Sequence, residues 1–416
     1  MAVSGTFKLF SFVNFHSQVN SGVTYECAIT GRGSSQKTDG LSPRNFPNSH
    51  SSTPTQCTLF VPFIFCDYNA TCIVGSNKVA MPLDTIYLTR HGHRLNWTID
   101  HKTGTYFSQF PTPSGNPSDP ALTSHGVRQS HELATHIVSG DVTPKPFRVY
   151  SSPFWRCLQT IEPSVRALGD AKKAQNGKGG TDGIDEQAEF EIRVENGLGE
   201  WFGSTTFFHH PAPPTISTLQ SLKSGEAAPF TLNTTRNSPI LYTSTRGESI
   251  PQLHNRLATA LAGIIREVDA EITTIEASLP TEQRTSKAIF ICSHAAPLIA
   301  IGRVLTGNMP ADSSEEDFHV YTAGLSTFRR RGSGPAASKP GKGLLADGTM
   351  IANPDVTVVP EWEGGKGVGG GWDCVMNGDC SFLSGGAERG WHFNGEESFD
   401  TGPMSDPAVP AVPAED

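Results

Sequence analysis

Residues 85–94 read Thr-Ile-Tyr-Leu-Thr-Arg-His-Gly-His-Arg, an apolar run rich in β-formers that ends abruptly in charge. Such a run predicts a buried strand, with Arg90-His91-Gly92 as the junction where the chain leaves the sheet. That junction sets an imidazole between two guanidinium groups, Arg90 and Arg94. Guanidinium is planar and grips phosphoryl oxygens through paired hydrogen bonds that lysine cannot reproduce. A histidine in this setting is suited to attack phosphorus and carry the phosphoryl group covalently.

Working outward, three further stretches repeat the pattern of strand followed by a phosphate-competent side chain. Residues 148–160, Arg-Val-Tyr-Ser-Ser-Pro-Phe-Trp-Arg-Cys-Leu-Gln-Thr, predict a strand, a Ser-Ser-Pro turn and a helix start with Arg156 in its first turn, where free amides and the dipole favour anions. Residues 192–201, Ile-Arg-Val-Glu-Asn-Gly-Leu-Gly-Glu-Trp, deliver Glu200 beside Trp201. A carboxyl against an aromatic wall is expected to hold its proton more tightly and to act as general acid, with Glu195 as the rival carboxylate. Residues 287–294, Lys-Ala-Ile-Phe-Ile-Cys-Ser-His, predict a strand ending in His294 and followed by a helix over Ala295 to Leu305. Open α/β sheets bind ligands at the carboxyl ends of their strands, so these four junctions are expected to meet at one sheet edge. The expected fold is a three-layer α/β/α sandwich with a mostly parallel central sheet.

In the order Arg-His-Gly, Ser-Ser-Pro-x-x-Arg-x-x-Gln-Thr, Gly-Glu-Trp and Ser-His, with Leu122-Thr123-Ser124-His125-Gly126 between the first two, residues 85–305 resemble the histidine phosphatase, or phosphoglycerate mutase-like, superfamily. The resemblance implies phosphomonoester hydrolysis with His91 as the phosphorylated nucleophile, Arg90, Arg94, Arg156 and His294 lining the phosphate pocket, and Glu200 as proton donor. His294-Ala295-Ala296 departs from the His-Asp of the acid phosphatases and phytases, and Arg94 stands where mutases proper carry serine. A mutase-type phosphotransferase is therefore the weaker alternative. Gly-Glu-Trp, His-Ala-Ala and the Met-Asn-Gly segment within residues 372–394 are most similar to the fungal tau-subunit group of transcription factor IIIC. The alternative to catalysis is thus a scaffold subunit with a transcription-complex partner. The short stretch after Met-Asn-Gly carries the expectation that an extra C-terminal assembly domain is lacking.

His93, Trp97 and Trp201 are candidate substrate contacts; His93 has a structural role as its rival, and Trp97, Trp155 and Trp201 have core packing as theirs. His91-x-His93 with His209-His210 raises a metal reading, but no carboxylate or cysteine stands with them at ligand spacing. The expectation is no metal and no cofactor, and a phosphorylated small molecule or phosphoprotein as substrate.

A net charge of −9 with no basic run longer than Arg329-Arg330-Arg331 argues against direct nucleic-acid binding. No apolar stretch of about 18 residues predicts a membrane span. Cysteine usage forms no disulfide framework and fits a cytoplasmic or nuclear location. Residues 1–80 are poor in charge and lack periodicity, which predicts a disordered extension or a gene-model artefact ahead of a domain opening near Met81. The catalytic domain is expected over 81–330 with a cap or insertion at 202–246, a mobile loop at 171–189, a long amphipathic helix at 248–278, a strand at 321–329, a packed C-terminal segment at 331–400 and a disordered tail at 401–416.

Overall fold

The computed structural model describes residues 83–175, 183–222, 229–236, 238–332, 339–397 and 399–400; the expectations for residues 1–80 and 401–416 lie outside them. In chain order the elements are β1 (Leu83–Arg90), β2 (Trp97–Asp100), β3 (Thr105–Ser108), α1 (Ser124–Val138), β4 (Pro146–Ser151), α2 (Trp155–Ala174) and β5 (Ile192–Val194). There follow α3 (Ile216–Ser221), β6 (Leu241–Tyr242), α4 (Ile250–Ala277), β7 (Lys287–Ser293), α5 (Ala295–Thr306), β8 (Leu325–Arg330), β9 (Met350–Ile351) and β10 (Trp372–Asp379).

Six strands form the central sheet in the order β10-β8-β1-β7-β4-β5. β1, β7, β4 and β5 run parallel, while β8 is antiparallel to both β1 and β10. From β1 the chain steps through α1 to β4 and through α2 to β5, always toward one edge. It then returns through α4 to β7 and through α5 toward the other edge. Right-handed crossovers taken in opposite directions put their helices on opposite faces. Accordingly α1 packs on α2, which meets β4 and β7, and α4 packs on α5, with both meeting β1. The result is an α/β/α arrangement around a mostly parallel sheet. The reversal falls beside β7, between β1 and β4, which is where such sheets open a ligand crevice.

The local chemistry explains the boundaries. Thr123 caps α1 through the amide of Gly126 at 3.2 Å. Ser249 and Gln252 form a capping box on α4, and Gly307 ends α5 in the left-handed region at φ 80°. β7 is buried along its whole length and β1 over nearly all of it, as expected of interior parallel strands.

Two expectations are corrected here, and a third gains detail. The 171–189 segment is helix as far as Ala174, with Leu168 in the core and Lys172 and Lys173 complementing the last turn; 176–182 lie outside the described residues. The strand expected at 321–329 starts at Leu325, because Thr322 and Ala323 are taken up in a turn whose Ala323 amide bonds the carbonyl of Arg90 at 3.1 Å. Within 331–400, the Met-Asn-Gly stretch adds the edge strand β10 to the sheet itself, anchored by the fully buried Trp372. Among the described residues no helix is long and apolar enough to cross a membrane.

Candidate active site

Hydrogen bonds of the sheet continue past the strand ends and lock the junctions together. The amide of His91 bonds the carbonyl of Ser293 at 3.0 Å, that of Ser152 bonds Cys292 at 3.0 Å, and that of Glu195 bonds Ser151 at 2.9 Å. Each junction leaves its strand already fixed against its neighbour, so the side chains that follow start from a rigid edge.

His91 is 2% exposed. Its Nδ1 lies 2.9 Å from the carbonyl oxygen of Gly92, which can only accept, so Nδ1 carries the hydrogen and Nε2 keeps its lone pair. Burial first, and then Arg156, Arg90, His294 and Arg94, hold its pKa well below the usual value, which leaves a neutral, nucleophilic imidazole. Gly92 is required for a steric reason: a Cβ there would stand 2.9 Å from the carbonyl oxygen of Gly126, and the amide of Gly92 bonds Thr160 at 2.9 Å.

Three guanidinium groups surround this ring. Arg156 is fully buried; it bonds the Ser118 carbonyl at 3.0 Å, Asp119 at 3.3 Å and Glu200 at 3.0 Å. Arg90 donates to the carbonyls of Val320 at 2.9 Å and Arg389 at 2.5 Å. Arg94 donates to Leu95 at 2.9 Å, and its guanidinium stands 5.9 Å from the Trp97 ring centroid. Burial depresses Arg90 to about 10 and Arg94 to about 9, Arg94 being further lowered by Arg156. Among the described residues, the Nε–H groups of Arg90 and Arg156 are buried without a hydrogen-bond partner. A buried donor left unpaired costs roughly 1–3 kcal/mol, and an oxyanion seated between these arginines would relieve both.

His294 completes the inner wall, fully buried, with Nε2 2.8 Å from Ser152 Oγ and its ring edge-on to His91 at 5.4 Å. Burial opposes its protonation, but Cys157 and Glu200 outweigh it and raise its pKa. Nδ1 of His294 stands 3.3 Å from Glu200. The two histidines therefore divide the labour of the site, one neutral and one favouring charge.

Glu200 reverses its expectation. Burial pushes its carboxyl up, yet His294, Arg156 and His91 together hold it well below the usual carboxylate range. The reason for the correction is Trp201, which packs in the core at 6% exposure against Trp391 and Phe393 and bonds the Glu248 carbonyl through its indole at 2.9 Å. Its ring is committed to core packing, the rival reading of its candidate substrate role. The rival Glu195 is wholly buried and occupied by Arg236 at 2.7 Å and by the amides of Gly197 and Ile240 at 2.9 and 2.8 Å. Trp155 lies against Phe230, 4.6 Å between ring centroids. Trp97 is half-buried and leans on Tyr106 and Phe202. His93 is half-buried, with Nδ1 2.9 Å from Thr123 Oγ1.

The helix start that was expected to present free amides to an anion is already engaged, since Asp119 accepts from the amide of Trp155 at 3.0 Å. Asp119, Ser152 and Thr160 support the site and were not singled out from sequence; Ser152 lay within the quoted Ser-Ser-Pro turn, whereas Asp119 carries no local signal. His209 and His210 are tied to Thr245 and Tyr106 at 2.7 and 2.6 Å, apart from any metal-like group. Among the described residues His91, Glu200 and His294 alone bring three donor atoms within 4.8 Å of one another. Three adjoining guanidinium groups make this a seat for an anion rather than a cation.

Residues 86–177, the segment that holds His91, Arg90, Arg94 and Arg156, match the model of the histidine phosphatase superfamily (branch 1). Among individual proteins, it is 27% identical over 320 residues to the transcription factor tau 55 kDa subunit of Saccharomyces cerevisiae, covering 76% of this chain. The chain spans 59% of that relative's length. Among solved structures, the ecdysone phosphate phosphatase from Bombix mori in complex with tungstate is 16% identical at TM-score 0.40 over 63% of this chain and 98% of that one. A phosphoglycerate mutase from Bacillus anthracis is 13% identical at TM-score 0.35 over 73% and 97%.

Proposed function

We propose that the chain is a phosphomonoesterase that works through a phosphohistidine on His91 and needs no metal. The observation that carries this reading is a buried imidazole with its Nε2 lone pair free, beside two buried guanidinium Nε–H groups that lack partners. The substrate phosphoryl group would take up those donors together with Arg94 and His294. His91 Nε2 then forms the bond to phosphorus as the bond to the alkoxide oxygen breaks.

Glu200 is a carboxylate in the free site and must gain a proton before it can give one. A phosphomonoester has a second pKa of about 6, so its monoanion can bring that proton in. The arriving negative charge also offsets His294 and Arg156, which raises the proton affinity of Glu200 where the alkoxide departs. In the second half-reaction water attacks the phosphohistidine, its proton passes to Glu200, and inorganic phosphate leaves with His91 restored.

The test is hydrolysis of p-nitrophenyl phosphate by the full chain in EDTA. Wild-type turnover that falls to background in His91→Ala and by about 10²–10³-fold in Glu200→Gln is the expected result. Equal rates for wild type and His91→Ala would reject catalysis. The tau 55 kDa likeness favours a second reading, a nuclear subunit of a transcription factor IIIC-like assembly, and pull-down of such factors by a His91→Ala chain would support it.

A further inference from the structure

We propose that Arg389 determines substrate choice by contacting a second anionic group, a carboxylate or a further phosphate, on the phosphomonoester. The proposal rests on the phosphatase reading above and names its substrate class. Arg389 comes from the C-terminal segment, some 300 residues after His91 in the chain, yet its backbone is built into the site: its carbonyl accepts from Arg90 at 2.5 Å. The residue before it is held from two other directions. The carbonyl of Glu388 accepts from the Thr322 amide at 3.1 Å, and its carboxylate meets Gln129 at 3.1 Å and His125 at 2.5 Å.

The conformation at Arg389 is costly. Its φ of 51° lies in the left-handed region, which a side chain other than glycine adopts only under strain. Glycine would serve the turn better, and Gly386 does so nearby at φ 68°. What arginine adds is an exposed guanidinium whose charge acts on His93, Arg90 and Arg94. The cations that chiefly act on His91 are instead Arg156, Arg90, His294 and Arg94. With its carbonyl on Arg90 and its charge felt at His93 and Arg94, Arg389 stands one step out from the phosphate seat, where a second anion carried by a bound ester would meet it. The carboxylate of its neighbour Glu388 is occupied by α1, which leaves this cation for a ligand.

The experiment compares wild type, Arg389→Gly and Arg389→Lys as full-length chains. Glycine suits the left-handed backbone, so it removes the side chain and keeps the turn; a thermal midpoint no lower than wild type checks this. Substrates are a phosphoserine peptide with alanine neighbours, the same peptide with aspartate neighbours, and a small phosphorylated hydroxy acid beside p-nitrophenyl phosphate. In Arg389→Gly the preference for the doubly anionic member of either pair should fall about 5–10-fold, mainly through KM, and return in Arg389→Lys. Whichever pair responds separates a peptide from a small acid as the source of the second anion. The same preference is read as affinity by calorimetry, so a chain that binds without turnover still reports on Arg389 and marks the catalytic reading as the one that failed. An unchanged preference in Arg389→Gly, by turnover and by affinity, would overturn the proposal.

Discussion

The two ends of the central sheet treat buried charge in opposite ways. At the amino end, Arg330 is almost completely buried, and every one of its guanidinium nitrogens is bonded: Nε to Gly369 at 2.7 Å, Nη1 to Leu83 at 3.0 Å and Asp269 at 2.9 Å, Nη2 to Asp269 at 2.9 Å. At the carboxyl end, Arg90 and Arg156 each keep a buried Nε–H without a partner among the described residues, and a neutral histidine sits between cations. The first arrangement is a closed circuit that ties α4 to β1 and β8. The second keeps donors that, on the phosphatase reading, the oxygens of a phosphoryl group would take up. Burial alone does not mark a functional site; here the two unpaired donors stand out because they flank a neutral histidine among other cations.

The comparison breaks most sharply on substitution. His91→Ala should abolish turnover, a loss of about 10³–10⁴-fold or more, while thermal unfolding shows a smaller loss of stability than Asp269→Ala, because removing a neutral ring leaves no buried charge unpaired. Asp269→Ala should do the converse: removing one partner of a buried pair costs about 3–5 kcal/mol by denaturant unfolding, with turnover per folded molecule retained. Instability in the first variant and a harmless second one would erase the distinction drawn between the two ends.

A smaller effect sharpens the anion reading. Inorganic phosphate at 100 times its dissociation constant should stabilise the wild-type chain by about 2.7 kcal/mol, seen as a higher thermal midpoint, and Arg156→Ala should blunt the gain. No gain in wild type would mean that the unpaired donors do not form an anion seat.

Smaller again is the pH response. His91 has a folded pKa well below its ordinary 6.5, so on acidification below that value the unfolded chain binds a proton that the folded chain refuses, and stability falls. His294 has the opposite sign: its folded pKa is raised, so its contribution is present below 6.5 and is lost as pH rises through the folded value. Urea unfolding at pH 5 and pH 7 should therefore show His91→Ala losing less stability on acidification than wild type, with His294 common to both. An identical loss would mean that His91 is not held neutral.

The inner pocket was legible because each of its members follows a strand at fixed offset. Arg90, His91, Arg156 and His294 stand within a few residues of the apolar runs that end at the sheet edge, so strand pattern and topology suffice to bring them together. What was not legible depends on through-space pairing. The low proton affinity of Glu200 comes from His294 and Arg156, and no inspection of Gly-Glu-Trp reveals it; the neighbouring Trp201 pointed the wrong way because it turns into the core. Asp119 sits before a proline with no periodic signal, and Arg389 reaches the site only because β10 carries the chain back across the sheet edge. Elements with sequence periodicity, such as α4, were foreseen within a few residues, whereas the turn at Thr322 and Ala323 is set by a partner on another strand.

The central claim is that phosphorus becomes bonded to His91. The direct measurement is rapid mixing of the full chain with excess p-nitrophenyl phosphate, a quench under alkaline denaturing conditions that preserve phosphohistidine, and peptide mass analysis. The account predicts phosphate on the peptide that contains His91 and none in the His91→Ala chain. Phosphate on a different residue, or steady turnover with His91 unmodified at every quench time, would contradict it.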